Sequence, residues 1–449
     1  MLAAHVVLVG LLVGTTALFS ALSILNVRYG ARAVRENADW LAEELGVDDP
    51  EEILGYQRAR TGASLLQTWV TLALLLGGLY AGVFTAAVDA LADTGLDPIL
   101  QGVAFVGGLL LAQRVVAAPF SAYSTFAIEE IFDFNEQSPK LWLKDQLLGL
   151  AIGLAMLLPL AGVLFWLIET FATPIWVGAG WALVIGVGLL MQILYPRVIA
   201  PLFNDFEPLE DEDARAAIED LFAQAGFEAS GIYTMDASRR STHLNAYFIG
   251  FGSTKRVVLF DTLMEELSTP ELEGVLAHEL AHWKFNHIWK RVGASALQMG
   301  VVFAVFGWLL GTDWLPELFS LPAEAAYAHL IVALLFVYPI LELTAPLMNQ
   351  LSLAHEREAD GFAVDQLGEA EPMVGALATL ASENLANPFP HPWYAAFTQS
   401  HPPIPERMRL VRERVGDDGD GSGPGDGSGR GGEGEGGDGP AGAEPAADD

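Results

Sequence analysis

Cysteine is absent from this chain of 449 residues. That excludes disulfides and thiolate chemistry, and leaves histidines and carboxylates to hold any metal. Cations are scarce too: 23 Lys and Arg stand against 56 Asp and Glu, for a formal net charge of −33. A surface of that sign cannot neutralise phosphates, which excludes nucleic acid as a partner. The acidity is not local. Residues 416–449 hold ten acids and one Arg, so −24 is spread over the remainder. Such a surface suits a concentrated-salt solvent, where screening weakens self-repulsion. No internal repeat of solenoid length is present either. Apolar residues, by contrast, make up 52% of the chain, with a mean hydropathy of +0.36. They gather in long runs, which points to lipid as the solvent.

A helical span needs roughly 20 apolar residues. Seven runs qualify, at 3–27, 64–92, 97–118, 147–170, 173–195, 293–312 and 326–348. The first reads as an uncleaved span, because its apolar stretch is long and no basic region precedes it. If loops are assigned alternately to two sides, all 23 Lys and Arg fall on one of them. The positive-inside rule then puts the N-terminus outside and the C-terminus in the cytoplasm of a multi-pass cell-membrane protein. Three regions follow. Residues 1–195 carry five spans and a charged helical hairpin at 28–62; residues 196–415 carry two spans and the polar segments beside them; residues 416–449 form an acidic, Gly-rich tail too poor in apolar residues to fold.

The chemistry is concentrated just before the sixth span. Ser268-Thr269-Pro270-Glu271 is a helix start, with a capping box between Ser268 and Glu271. The helix it opens contains His278-Glu279-Leu280-Ala281-His282. Histidines four apart share a face and can reach one ion, while Glu279 addresses a bound water from the side. Zinc lowers the pKa of such a water to about 7, and a carboxylate accepts its proton during attack on a carbonyl. His278 and His282 are therefore candidate zinc ligands and Glu279 the candidate base. HExxH alone is short enough to recur by chance, but here its inner residues are apolar, its helix has a start signal, and it abuts a span. Catalytic zinc usually takes a third protein ligand. After the seventh span, on the same side, His355-Glu356-Arg357-Glu358-Ala359-Asp360 offers candidates on a helix. Glu356 and Asp360 share a face, so one can bind metal while the other accepts from a ligand imidazole. Spacing leaves His355 and Glu358 open as ligands.

At this point the sequence resembles the type I CaaX prenyl proteases. The resemblance covers about residues 110–412 and is strongest through 195–290. It rests on ordered blocks: Pro119–Glu130, Tyr195–Asn204, Asp236–Ser241, Asn245–Phe248, Lys255–Leu263 and His278-Glu279. The resemblance implies Glu356 as third ligand, Asp360 behind a ligand imidazole, and spans enclosing a large chamber. It also implies that His401, in Ser400-His401-Pro402-Pro403, and Arg407 steady the tetrahedral intermediate, a role that suits a cation beside a developing oxyanion. Two departures stand near the third ligand. Leu353 follows Ser352 where the family has Arg, and His355 replaces the common aromatic, where it could tune or compete for the metal.

Residues 245–248 and 257–260 read as short strands flanking a Gly-rich turn at 250–255. An exposed edge there would hold an extended substrate by main-chain hydrogen bonds, making Asn245, Ala246 and Tyr247 candidate substrate contacts. His243 reads as a surface residue, His287 as lying off the ligand face, and His5, His329 and His391 as interfacial or packing residues. The fold class expected is an all-α polytopic membrane protein of seven spans with a small cytoplasmic α/β insertion bearing a gluzincin-type zinc site. The expected function is zinc-dependent endoproteolysis near the C-terminus of protein substrates, isoprenylated or not, with one Zn²⁺ per chain and the lipid bilayer as partner. Two rivals are a broader quality-control membrane protease and a non-catalytic channel or scaffold with a structural metal. An open position beside Glu279 argues against the last, since structural zinc is usually closed by four protein ligands.

Overall fold

Three of the long helices begin in the same way. Asp49, Asp97 and Ser138 each accept a backbone hydrogen bond, from Glu51, Ile99 and Leu141, and each is followed by a proline in the first turn. A side-chain acceptor and a residue with no amide to orphan together fix where a helix starts. The computed structural model describes residues 1–227, 231–249 and 256–419. Among these, seven helices are long and apolar enough to cross a membrane: Leu2–Glu36, Pro50–Tyr80, Pro98–Glu129, Pro139–Thr170, Thr173–Phe203, His287–Leu310 and Ala326–Leu343, called spans one to seven.

The second span stops earlier than its hydropathy predicts. Gly82, at φ +81°, breaks the helix, and Val83–Ala92 is a separate short helix. The expected charged hairpin is built from the ends of spans one and two with Ala38–Leu45 between them. Span three ends in a wider π-helical turn, Ser124–Glu129, and span five has one at Tyr195–Ile199 before its last turn, both within blocks that carried the resemblance.

Each span touches the next in chain order, and span seven returns to span one to close a ring, while also touching spans three and four. Spans four and five bury only 6% of their most apolar windows. Most of their surface is left to face lipid. One end of the ring is plugged by an apolar cluster that includes Phe105, Phe165, Trp176, Leu315 and Tyr327.

The other end carries the polar part of the molecule. A four-stranded sheet has the order β1-β2-β4-β3, from β1 (Phe206–Pro208), β2 (Gly231–Met235), β3 (Ala246–Ile249) and β4 (Arg256–Phe260). β2 and β4 run parallel, and β3 pairs antiparallel with β4, Tyr247 opposite Val258. Central β4 buries Val257, Val258 and Leu259 in succession, as a strand covered on both faces does. The longer helices of this part are α1 (Glu212–Gln224), α2 (Thr269–Lys284), α3 (Ala345–Leu367), α4 (Glu371–Glu383) and α5 (Ile404–Gly419). Helix α2 lies against α3 and α4 over a shared core with Leu276, Leu280, Ala363 and Leu377. Its approach to α4 is close: a Cβ on Gly274 would stand 3.2 Å from the Met373 backbone. The Gly-rich turn at 250–255 and the tail beyond Gly419 lie outside the described residues.

His243 is not the surface residue its sequence suggests. Its ring stacks on Phe134, with centroids 4.2 Å apart, and its Nδ1 lies 2.9 Å from Asn384 Oδ1. Its Nε2 faces Glu129 at 3.4 Å, so it ties span three to the sheet region and α4.

Candidate metal centre

The helix carrying the HExxH residues starts where its sequence says it should. Glu271 Oε2 accepts from the Ser268 amide at 2.8 Å and from its hydroxyl at 2.6 Å, with Pro270 in the first turn. The helix then presents His278 and His282 on one face, with Nε2 atoms 3.2 Å apart. Helix α3 brings Glu356 to the same point, its carboxylate oxygens 3.3 Å from His278 Nε2 and 3.5 Å from His282 Nε2. Two donors each 2.0–2.1 Å from a tetrahedral zinc stand about 3.3–3.4 Å apart. The separations are close to such an edge, with the two Glu356 contacts made by different oxygens of its carboxylate, Oε2 toward His278 and Oε1 toward His282. Glu356 Oε2 is moreover buried without a hydrogen-bond partner, an orphan that a cation would satisfy. Metal ligands therefore fit here. Glu279 shares the site: its carboxylate and the two histidine nitrogens all lie within 4.8 Å of one another.

The electrostatics point the same way. Burial pulls the His278 imidazole down, but the carboxylates of Asp360 and Glu356 outweigh it and carry the group up to about 9. The pocket thus favours positive charge at this spot. Burial and the neighbouring His278 push His282 down to about 3, keeping it neutral, the form that binds metal. Burial would raise Glu356, yet the imidazoles of His278, His401 and His282 hold it below the ordinary carboxylate range. Glu279, by contrast, is pushed up by burial, as a carboxyl that both takes and gives a proton should be.

Asp360 accepts from His278 Nδ1 at 2.7 Å, so in the neutral form of His278 that a metal requires, the other ring nitrogen is a lone pair facing the site. Behind Asp360 stands Arg407, buried, donating through Nε at 2.8 Å and Nη2 at 2.6 Å. The charge and hydrogen bonds of Arg407 overcome burial and hold Asp360 well below the usual carboxylate range. Nε and Nη2 of this guanidinium are committed to Asp360, Nη2 also lying 3.3 Å from His278 Nδ1, and Arg407 does not line the open cleft. His401 does. Its exposed ring places Nε2 3.3 Å from Glu356 Oε2, in a cleft of about 260 Å³ shared with Tyr247, Phe248, Glu279 and His282.

Strand β3 is an edge of the sheet, as expected. The Phe260 amide donates to the Asn245 carbonyl at 3.1 Å. By antiparallel alternation, Ala246 and Phe248 then turn their N–H and C=O groups away from β4. His287 differs from expectation. A continuous helix would carry it off the ligand face, but the helix ends, Asn286 takes a left-handed φ of 57°, and the chain folds His287 back onto His282. His355 stacks flat against His287, with ring centroids 4.0 Å apart, and its Nδ1 is buried without a partner.

Comparison with known proteins agrees with this layout. Residues 32–205 match the family described as "CAAX prenyl protease N-terminal, five membrane helices", and residues 208–415 match peptidase family M48. The chain is 35% identical to CAAX prenyl protease 1 homolog of Oryza sativa subsp. japonica, over 71% of this chain and 74% of that protein. It is 33% identical to CAAX prenyl protease 1 of Saccharomyces cerevisiae, over 70% and 73% respectively, and 30% identical to the Homo sapiens homolog, over 77% and 81%. Among solved structures, the crystal structure of S. mikatae Ste24p superposes with a TM-score of 0.76 at 28% identity, covering 88% of this chain and 99% of that one.

Proposed function

The chain belongs to the CAAX prenyl protease family of membrane M48 metallopeptidases, and from that premise we propose that it is a zinc endopeptidase acting on prenylated CaaX C-termini of proteins. The observation that carries this reading is the convergence of His278, His282 and Glu356 at 3.2–3.5 Å beside Glu279. Those three residues would hold one zinc ion. When bound, zinc would polarise the scissile carbonyl and make water acidic enough to attack. Everything else falls to the chain. Glu279 takes the proton of the attacking water and passes it to the leaving amine, a role that its raised carboxyl supports. His401, exposed over the cleft, donates to the developing oxyanion. Asp360 and Arg407 hold His278 in its ligand tautomer from behind.

The substrate's main chain adds to β3 as a further strand, with Ala246 as its main-chain contact and Asn245 and Tyr247, whose backbone groups face β4, contributing side chains. The partition of Lys and Arg supports an outside N-terminus and a cytoplasmic metal centre. The test is to incubate purified protein with a prenylated CaaX peptide, its unprenylated counterpart and an unfolded membrane protein, with and without chelator. Chelator-sensitive cleavage of the prenylated peptide is expected. Cleavage of the unfolded protein alone would move the function to quality control, and no chelator-sensitive cleavage would end the enzyme reading.

A further inference from the structure

The two ligand histidines are supported differently. Behind His278 stand Asp360 and Arg407. Behind His282 stands an imidazole: His282 Nδ1 and His287 Nδ1 are 3.0 Å apart, and His287 Nε2 is 2.8 Å from Glu358 Oε2. The proton positions in this chain follow from chemistry. A carboxylate only accepts, so the His287 nitrogen facing Glu358 carries a hydrogen. In neutral His287 the other nitrogen is then a lone pair. The hydrogen shared with His282 must therefore belong to His282 Nδ1. That leaves His282 Nε2 as a lone pair, 3.2 Å from the matching nitrogen of His278.

We propose that His287 is a positioning residue for the metal centre, fixing the tautomer and ring plane of His282, and that Glu358 fixes His287 in turn. This rests on the metal-ligand reading above. His287 is 1% exposed, and its ring is clamped by the parallel ring of His355 at 4.0 Å and 10°. Helix α3 thus serves both ligands. Its Glu356–Asp360 face meets the metal point and His278, while its neighbouring His355–Glu358 face grips the support of His282. Among the described residues, Lys290, 3.9 Å from Glu358, is the Lys or Arg nearest that carboxylate.

The test measures Zn²⁺ affinity of the full chain in detergent by competition with graded chelators, and the visible spectrum of the Co²⁺ form. His287→Leu removes the acceptor and should weaken Zn²⁺ binding roughly ten- to hundredfold and alter the Co²⁺ spectrum. His287→Asn keeps an acceptor oxygen near the Nδ1 position and should restore most of the affinity. Glu358→Ala lies at a half-exposed rim, where folding is not at stake, and should weaken binding severalfold or more. His282→Ala is the control for the ligand set. Wild-type affinity in both His287→Leu and Glu358→Ala would overturn the proposal, as would His287→Asn behaving like His287→Leu. Wild-type affinity in His282→Ala would instead overturn the metal-ligand reading itself. If His287→Leu fails to fold, Glu358→Ala and His287→Asn decide the question.

Discussion

Glu279 and Arg407 show how differently two charged side chains can serve one centre. Glu279 is a half-buried carboxylate beside the ligand nitrogens, held ready to exchange a proton. Glu279→Gln should keep the bound metal, since the ligand atoms are untouched, and lose about 10²–10⁴-fold in kcat. Metal content and single-turnover cleavage check this, and near-full activity in a metal-loaded Glu279→Gln preparation would refute the assignment. Arg407 is a structural cation first. It is buried and forked onto Asp360, so Arg407→Leu leaves a carboxylate buried without its counter-ion. Destabilisation of about 3–5 kcal/mol is expected, read as a lower denaturant midpoint in detergent. A variant inactive at unchanged stability would move Arg407 from support into the chemistry. The sequence reached these residues by motif. It could not reach His287, because a helical wheel assumes an unbroken helix, and the left-handed Asn286 breaks it one residue earlier.

At the scale of elements, what was legible was whatever a local signal governs. The Ser268–Glu271 start, the two strands around 245–260 and all seven spans follow from capping, alternation or hydropathy over one window. Strands β1 and β2 were not foreseen, because three and five residues of mixed burial carry too little alternation to stand out. The early end of span two was hidden for the same reason: Gly82 is one residue in an apolar run, and only its φ of +81° stops the helix. His243 escaped because its partners, Phe134, Glu129 and Asn384, come from segments distant in sequence. The edge strand supplies a test at this scale. Ala246 points its amide away from β4, so Ala246→Pro removes an edge donor and crowds the edge without breaking the ladder. An increase in KM of roughly tenfold, about the 1.4 kcal/mol of one good hydrogen bond, with an unchanged melting temperature, is the expected result. An unchanged KM would mean that substrate does not lie along β3.

Across the whole molecule the dominant quantity is charge. With −33 on the chain, like charges crowd the polar surfaces at low ionic strength. The Debye length falls from about 10 Å at 0.1 M to 3 Å at 1 M salt. The melting temperature of the detergent-solubilised protein should therefore rise by several degrees over that range. A flat profile would show that the acidic surface is not adapted to salt.

The placement of the ligand helices has a consequence of its own. Two residues separate the end of α2 from the start of span six, and one residue separates the end of span seven from the start of α3. A shared ion between His278, His282 and Glu356 would act as a rivet between two posts of the ring. Its removal would be felt mechanically along both posts, toward the plugged end of the ring. A spectroscopic label near Leu315 would then report chelation from the far side of the bilayer, turning the metal's presence into a signal that no active-site assay is needed to read.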